Sequence, residues 1–246
     1  MTALPPAPGR LIGVSVGPGD PDLMTVRAVR TIRACPVVAY FCKRGGAGHA
    51  RRIAADCITA EHVELPLVYP VTVELPPDDP DYGRRIEDFF DESAERLAGH
   101  LSAGRSVAAL NEGDAFFYGS FMHLFLRLSR RFPTEVVPGV TSMMCSASLL
   151  PQPLTLRDDV LSVIPGTLDE EALGRALAGA DAAVVIKLGR NLPKVRRAVI
   201  AAGLAGRAWY VERASMEEQR VLPFREAPET APYFSQIVIP GTGRRR

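Results

Sequence analysis

Apolar residues in this chain fall in short dense runs separated by segments of helical period. Leu11 to Val16 is nearly all apolar and stops at Gly17, which predicts a strand buried on both faces. From Pro21 to Arg33, Leu23, Val26, Val29 and Ile32 recur at three-residue steps and predict a helix. "PVVAYF" (36–41) predicts a second strand, "GHARRIAADCI" (48–58) a helix and "HVELPL" (62–67) a third strand. The cluster "PPDDPD" (76–81) reads as an exposed turn. Arg84 to Leu101 then places Ile86, Phe89, Phe90, Ala94, Leu97 and Leu101 on one helical face, and Gly104 ends it. "SVAALNEGDAFFYGSFMHLFLRL" repeats the plan of strand, Gly-Asp loop and helix, with Phe117, Phe121, Leu124, Phe125 and Leu128 on one face. "TEVVPGVTSMMCSASLL" gives it a third time, and Thr141 or Ser142 is suited to cap the helix.

The second half changes character. "DVLSVIPG" and "AAVVIKLG" predict strands with the short helix "DEEALGRAL" between them, and Pro193 to Ala202 predicts a helix stopped by Gly203. "RAWYVERA", "QRVLPF" and "SQIVIPG" are closely spaced strands with little helix between them. The expected architecture is therefore α/β in two domains, 1–137 and 138–246, the first with a mostly parallel sheet and the second with a mixed one.

Composition narrows the function. Of 246 residues, 29 are Lys or Arg and 28 Asp or Glu, so no global field draws nucleic acid or a membrane surface. Arg244 to Arg246 read as a frayed tail. Four cysteines without C-x-x-C pairing, and four scattered histidines, point away from zinc or a disulfide framework. "MTALPPAPGR" lacks the apolar core of a signal peptide and no run is long enough to span a bilayer, so a soluble cytoplasmic protein is expected.

Candidate chemistry sits in three loops, 17–20, 111–118 and 138–142, at the carboxyl ends of predicted strands, where open parallel sheets bind ligands. "GVSVGPGDPDLMT" (13–25) has the layout of a nucleotide loop, yet Pro18 and Pro21 carry no N–H and Asp20 would repel phosphate. The spacing is not G-x-G-x-x-G and no Walker lysine follows. A phosphate-free adenosine bearing positive charge, such as S-adenosylmethionine, suits Asp20, Glu112 and Asp114 better. Structural roles compete. Asp20 before Pro21 makes a good N-cap, and Asp114 is suited equally to capping and to ligand contact. Phe117 reads as core, His123 as packed or surface, Cys145 as a small buried residue and the acidic positions 87–95 as a solvated face.

Taken together, "VGPGDPDLMT" (16–25), "EGDAFFYGSF" (112–121), "VVPGVTS" (136–142) and "KLGRNLPKVR" (187–196) resemble the ordered motifs of the tetrapyrrole methylases, S-adenosylmethionine-dependent enzymes of cobalamin and sirohaem synthesis. The likeness runs from about Leu11 to the end of the chain. "YPVTVE" (69–74), "RDDVLSVIPGTLDEE" (157–171), "VERASMEEQRV" (211–221) and "YFSQIVIPG" (233–241) are similar to the branch that methylates carbon-20 of precorrin-2.

The resemblance implies a two-domain fold with the cofactor folded up in the cleft between domains, and a homodimer. It implies that Pro18 lies against the cofactor and that Glu112, Gly113 and Asp114 hold its amino-acid end, with Phe117 nearby. Thr141 and Ser142 would line the ribose side, Leu188 would present backbone to the adenine, and Ala214 would close that side. Ala115 stands where the family often has proline, which is expected to loosen the second loop slightly. Tyr40-Phe41 replaces the Tyr-Asp of uroporphyrinogen-methylating relatives, so no base carries over. Asp20 and Tyr118, with Glu112, are the candidates by position for the proton that must shift. The tetrapyrrole carries eight carboxylates, so cations are expected around it: Arg190 and Arg213 first, then Lys43, Arg44, Arg84 and Arg157. Competing readings are a methylase of the same family acting on a later precorrin, a nicotinamide-dependent oxidoreductase, and a non-catalytic adenosine-binding or scaffold protein.

Overall fold

The structure, a computed structural model, describes residues 7–70 and 80–243. The lead to Pro6, most of "YPVTVE", the turn cluster before Pro80 and the terminal arginines lie outside the described residues. The chain forms two compact units, Met1–Thr141 and Ser142–Arg246.

In the first unit, β1 (Leu11–Ser15), β2 (Val37–Cys42), β3 (Val63–Val68), β4 (Val107–Asn111) and β5 (Thr134–Val137) form one sheet in the order β3-β2-β4-β1-β5. Each pairing in it is parallel. The alternation of strand side chains divides the apolar positions between two layers. Leu11, Val37, Ala39, Val107 and Ala109 pack with α3 (Pro80–Ser102) and α4 (Phe121–Leu128). Ile12, Val14, Val38, Ala108 and Leu110 pack with α1 (Val26–Ala34) and α2 (His49–Ile53). A sheet covered on both faces explains why its strands read as apolar runs. Pro66 is tolerated because β3 lies at an edge, where a missing donor costs no ladder bond.

Several expected boundaries move. The helix expected from Pro21 is a 3-10 turn, Pro21–Leu23, followed by α1, whose cap is Thr25: its hydroxyl accepts from the Ala28 N–H at 3.1 Å. The buried face of α1 is consequently Ala28 and Ile32, and Val26 points outward. The helix expected over 48–58 is the five-residue α2 plus a 3-10 turn, Ala55–Cys57. Phe117 lies in the loop before α4 rather than on its face. The acidic stripe of α3 is not simply solvated: Glu87 and Asp91 pair with Arg127 on α4, and Glu95 with Arg131 just beyond its end. His123 stacks on Phe90 with ring centroids 4.0 Å apart.

In the second unit, β6 (Leu161–Pro165), β7 (Ala182–Ile186), β8 (Trp209–Glu212), β9 (Arg220–Pro223) and β10 (Ser235–Ile239) run in the order β6-β7-β10-β8-β9. Only β6 and β7 are parallel; the other pairs are antiparallel, making the sheet mixed. One face is packed by α6 (Glu170–Ala178) and α7 (Leu192–Ala201) around Tyr210, Phe224 and Ile237. The short α5 (Ser142–Ser148) packs against β10.

Candidate active site

Strands β4, β1 and β5 are neighbours, so the three loops leave the carboxyl edge of the first sheet side by side. They are fastened to one another by main chain and by two short side chains. Gly17 and Gly113 exchange hydrogen bonds: the Gly113 N–H donates to the Gly17 carbonyl at 2.8 Å and the Gly17 N–H returns one at 3.3 Å. Both sit at positive φ, +80° and +64°, conformations that glycine adopts without steric cost. Asp114 links the second loop to the third. Its Oδ1 accepts from the Phe116 N–H (2.9 Å) and its Oδ2 from the Gly139 N–H (3.0 Å). Glycine is required at 139 by proximity: a Cβ there would lie 2.5 Å from the Ser15 Cβ and 2.8 Å from the Gly113 carbonyl.

Asp114 therefore does not cap α4. The residue before that helix is Ser120, which makes no side-chain cap bond. The Phe121 N–H is taken instead by Oδ1 of buried Asn111, at 3.3 Å. Ala115 does not loosen the loop either. It is fully buried, and its N–H donates to the Ser15 hydroxyl at 2.9 Å, a bond that proline could not make.

The first loop is poor in free donors. Asp20 is the N-cap of the 3-10 turn, with Pro21 at the first position. Its Oδ1 accepts from the Asp22 N–H at 2.9 Å, and its carbonyl from the Leu23 N–H at 3.0 Å. With Gly17, Asp22 and Leu23 engaged and Pro18 and Pro21 lacking N–H groups, this loop is no phosphate cradle. Pro18 is buried.

Glu112 is turned toward α2, where its Oε1 accepts from the Ala50 N–H at 3.1 Å. Burial pushes its carboxyl above the usual range, opposed by the backbone N–H groups around it and by the positive charge of Arg52. Tyr118 is exposed, holds φ of +57° and meets Phe117 edge-on at 5.0 Å. Thr141 is half-buried at the end of the first unit.

In the second unit, Ser142 opens α5 and its hydroxyl accepts from the Gln236 amide. Leu188 and Ala214 are buried, and each is flanked by left-handed backbone. Lys187 (+58°) and Gly189 (+41°) bracket Leu188; Arg213 (+50°) and Ser215 (+63°) bracket Ala214. The Leu188 carbonyl accepts from the Asn191 N–H at 2.7 Å, and the Arg213 N–H donates to the Phe234 carbonyl at 2.8 Å. Arg190 is exposed in a 3-10 turn, Gly189–Asn191. The Arg213 guanidinium already has a counter-ion in Glu218 at 2.7 Å. Arg84 pairs with Asp81, while Lys43, Arg44 and Arg157 are exposed.

Ser15, Asn111 and Gly139 organise this edge, and none was among the expected site residues. The only signal for them is position: a small polar residue at the end of an apolar run, and a glycine after Pro138. Among the described residues no group of three His, Cys, Asp or Glu is placed to hold a metal ion, and no helix is long and apolar enough to cross a membrane. The four cysteines are free and buried, and burial with the nearby Glu135 charge pushes the Cys35 thiol up to about 11.

Comparison with known proteins adds independent findings. A family model described as Tetrapyrrole (Corrin/Porphyrin) Methylases matches residues 10–227. A Precorrin-2 C(20)-methyltransferase from Sinorhizobium sp is 52% identical over 95% of this chain and 96% of its own length. The cobalamin biosynthesis protein CobIJ of Mycobacterium tuberculosis is 52% identical over 98% of this chain, which spans 47% of that longer protein. A solved Thermus thermophilus Uroporphyrin-III C-methyl transferase complexed with S-adenosyl homocysteine shares the fold, with a TM-score of 0.66 and 24% identity over 94% of this chain and 92% of its own.

Proposed function

We propose, on the premise that the chain belongs to the tetrapyrrole (corrin/porphyrin) methylases, that it methylates carbon-20 of precorrin-2, giving precorrin-3A in cobalamin biosynthesis. The observation that carries this reading is the 52% identity with a precorrin-2 C(20)-methyltransferase along nearly the whole of both chains. The methyl donor is S-adenosylmethionine. When bound, it supplies a methyl group on a positively charged sulfur.

The residues present fit that donor. A loop that lacks N–H groups at Pro18 and Pro21 and bonds those of Gly17, Asp22 and Leu23 internally offers little to a phosphate, whereas the carboxylates of Asp20 and Asp114 favour a cation. Each of those carboxylates also fixes loop backbone, so the site is organised before any ligand arrives, which lowers the ordering cost of binding. In the first unit, Pro18, Glu112, Gly113, Asp114, Phe117 and Thr141 are assigned to the cofactor. In the second, Ser142 and the backbone around Leu188 and Ala214 are assigned to its nucleoside.

Carbon-20 belongs to an electron-rich, enamine-like system and needs no strong base to attack. The protein's part is alignment and exclusion of water. Tyr118, exposed on the second loop, is assigned to relay the proton that leaves the substrate, its hydroxyl accepting that proton as it gives its own to solvent. Asp20 serves as fixed negative charge, because one of its oxygens already caps the turn. Domains 1–137 and 138–246, a homodimer and a cytoplasmic location complete the reading.

The test is incubation with precorrin-2, and separately its cobalt form, each with S-adenosylmethionine, followed by mass spectrometry. One added methyl at carbon-20 is expected. A methyl at another carbon, or turnover only of a later precorrin, would assign the chain to a different methylase of the family.

A further inference from the structure

The segment 43–52, "KRGGAGHARR", supplies Lys43 and Arg44, which ranked behind Arg190 and Arg213 among the cations expected around the tetrapyrrole. It holds four cations in ten residues, and no acid occurs between Cys42 and Asp56. It leaves the carboxyl end of β2, the same edge from which the three site loops emerge, and β2 is hydrogen-bonded to β4. The Glu112 to Ala50 bond of 3.1 Å ties it directly to the second site loop.

The turn has a fixed shape. The Gly46 N–H donates to the Lys43 carbonyl at 3.0 Å, and Gly45 and Gly48 take φ of +74° and +75°. A Cβ at Gly48 would lie 2.4 Å from the Phe41 carbonyl oxygen, so only glycine fits there. Two of its four charges have no acid beside them among the described residues. Arg51 is neutralised by Glu64 through two bonds of 2.9 and 3.1 Å. Lys43 and Arg44 are exposed and make no ion pair among the described residues, while Arg52 bonds the His49 ring at 2.7 Å and its charge acts on buried Glu112. Six arginines elsewhere, Arg10, Arg127, Arg131, Arg175, Arg197 and Arg213, carry acidic partners, while Arg157 and Arg190 are exposed like Lys43 and Arg44. In a chain of formal charge +1, this shaped turn leaves positive charge unspent beside the site.

We propose that the 43–52 turn is the anchor for the acetate and propionate carboxylates of the tetrapyrrole, with Lys43 and Arg44 making the contacts and Arg52 adding to the field. The proposal rests on the functional reading above, and of the two first choices for that task, Arg190 and Arg213, it displaces Arg213, whose charge is already paired. Guanidinium and ammonium groups without an internal partner give up least when they pair with a ligand carboxylate.

The experiment is steady-state methyl transfer at saturating S-adenosylmethionine with precorrin-2 varied. Thermal stabilisation by S-adenosylhomocysteine is recorded in parallel on wild type, Lys43→Ala/Arg44→Ala and Lys43→Arg/Arg44→Lys. The alanine pair is expected to raise KM for the tetrapyrrole by about tenfold for each charge-assisted bond lost. The salt dependence of KM should flatten, with kcat little changed. The charge-retaining pair should recover most of the loss, and stabilisation by S-adenosylhomocysteine should be the same in all three. An unchanged KM in the alanine pair overturns the proposal. So does an equal loss in the charge-retaining pair, or loss of S-adenosylhomocysteine stabilisation, which would make the turn structural. Wild type that fails to methylate precorrin-2 removes the functional reading and this inference with it. Wild type that turns over, with variants of unchanged KM, removes only the anchor.

Discussion

The two units fix their loops by different means. In the first, the carboxyl edge of a parallel sheet is held by hydrogen bonds across loops, and the left-handed positions are mainly glycines: Gly17, Gly45, Gly48, Gly104 and Gly113, with Tyr118 the non-glycine among the described residues. In the second, Arg157, Lys187, Arg213 and Ser215 take up left-handed backbone beside Gly189, Gly203 and Gly243, and four of these positive-φ positions bracket Leu188 and Ala214. A side chain in that region costs about 1–2 kcal/mol, a strain that persists only where surrounding packing determines it. Buried Leu188 and Ala214 provide such packing. The first unit thus spends little strain and many bonds, while the second stores strain around the two residues assigned to the nucleoside.

Perturbing the two kinds of lock tests this contrast. The largest expected effect is Gly139→Ala. The added methyl meets the Ser15 Cβ and the Gly113 backbone and pushes the third loop off Asp114. Overpacking of this kind costs about 1–3 kcal/mol, read as a lower chemical-denaturation midpoint. Affinity for S-adenosylhomocysteine by calorimetry should fall by about tenfold or more, since 1.4 kcal/mol is a decade.

Next comes a pair of opposite sign. Gly113→Ala should lose about 1–2 kcal/mol from its left-handed position. Lys187→Gly should relieve a similar strain and repay about 0.5–1 kcal/mol of it to glycine's unfolded-state entropy, leaving a small net gain in stability. If the Lys187 variant is destabilised as much as the Gly113 variant, the second unit's backbone is not strained and the contrast fails.

The smallest effect is expected at Glu112 and is visible in its pH dependence. Its folded-state pKa is raised by burial, so the protonated form is favoured by folding. That contribution is fully present below the unfolded value, near 4.3 for glutamate, and is lost as pH rises through the folded value. Glu112→Gln keeps an acceptor for Ala50 and removes the ionisation. Its melting temperature should exceed wild type at neutral pH, and the gap should close in acid. A gap independent of pH would contradict the assigned cause.

Much of the fold was legible because strands covered on both faces must be apolar throughout, and helices packed on one face must show a 3.6 period. Leu11 to Ser15 and the α3 face read directly for that reason. Boundaries moved where side chains compete with the backbone: Thr25 captured the start of α1, and Asn111 captured the amide that begins α4. In the site, the donor-poor character of "GPGDP" was readable because prolines at 18 and 21 delete amides whatever the fold. The bridging role of Asp114, the Ser15 to Ala115 bond and the need for Gly139 were not readable. Each depends on which loops become neighbours, and that follows from the strand order β4-β1-β5 rather than from spacing along the chain.

The central claim is that a donor-poor first loop, stripped of N–H groups at Pro18 and Pro21 and edged by Asp20 and Asp114, takes a positively charged nucleoside and refuses a phosphorylated one. Isothermal titration of the intact chain with S-adenosylmethionine and with nicotinamide adenine dinucleotide, under one buffer and salt, tests it most directly. Saturable binding of the sulfonium compound with none of the dinucleotide is the predicted result, and tight uptake of the dinucleotide with no heat from the sulfonium compound would contradict it.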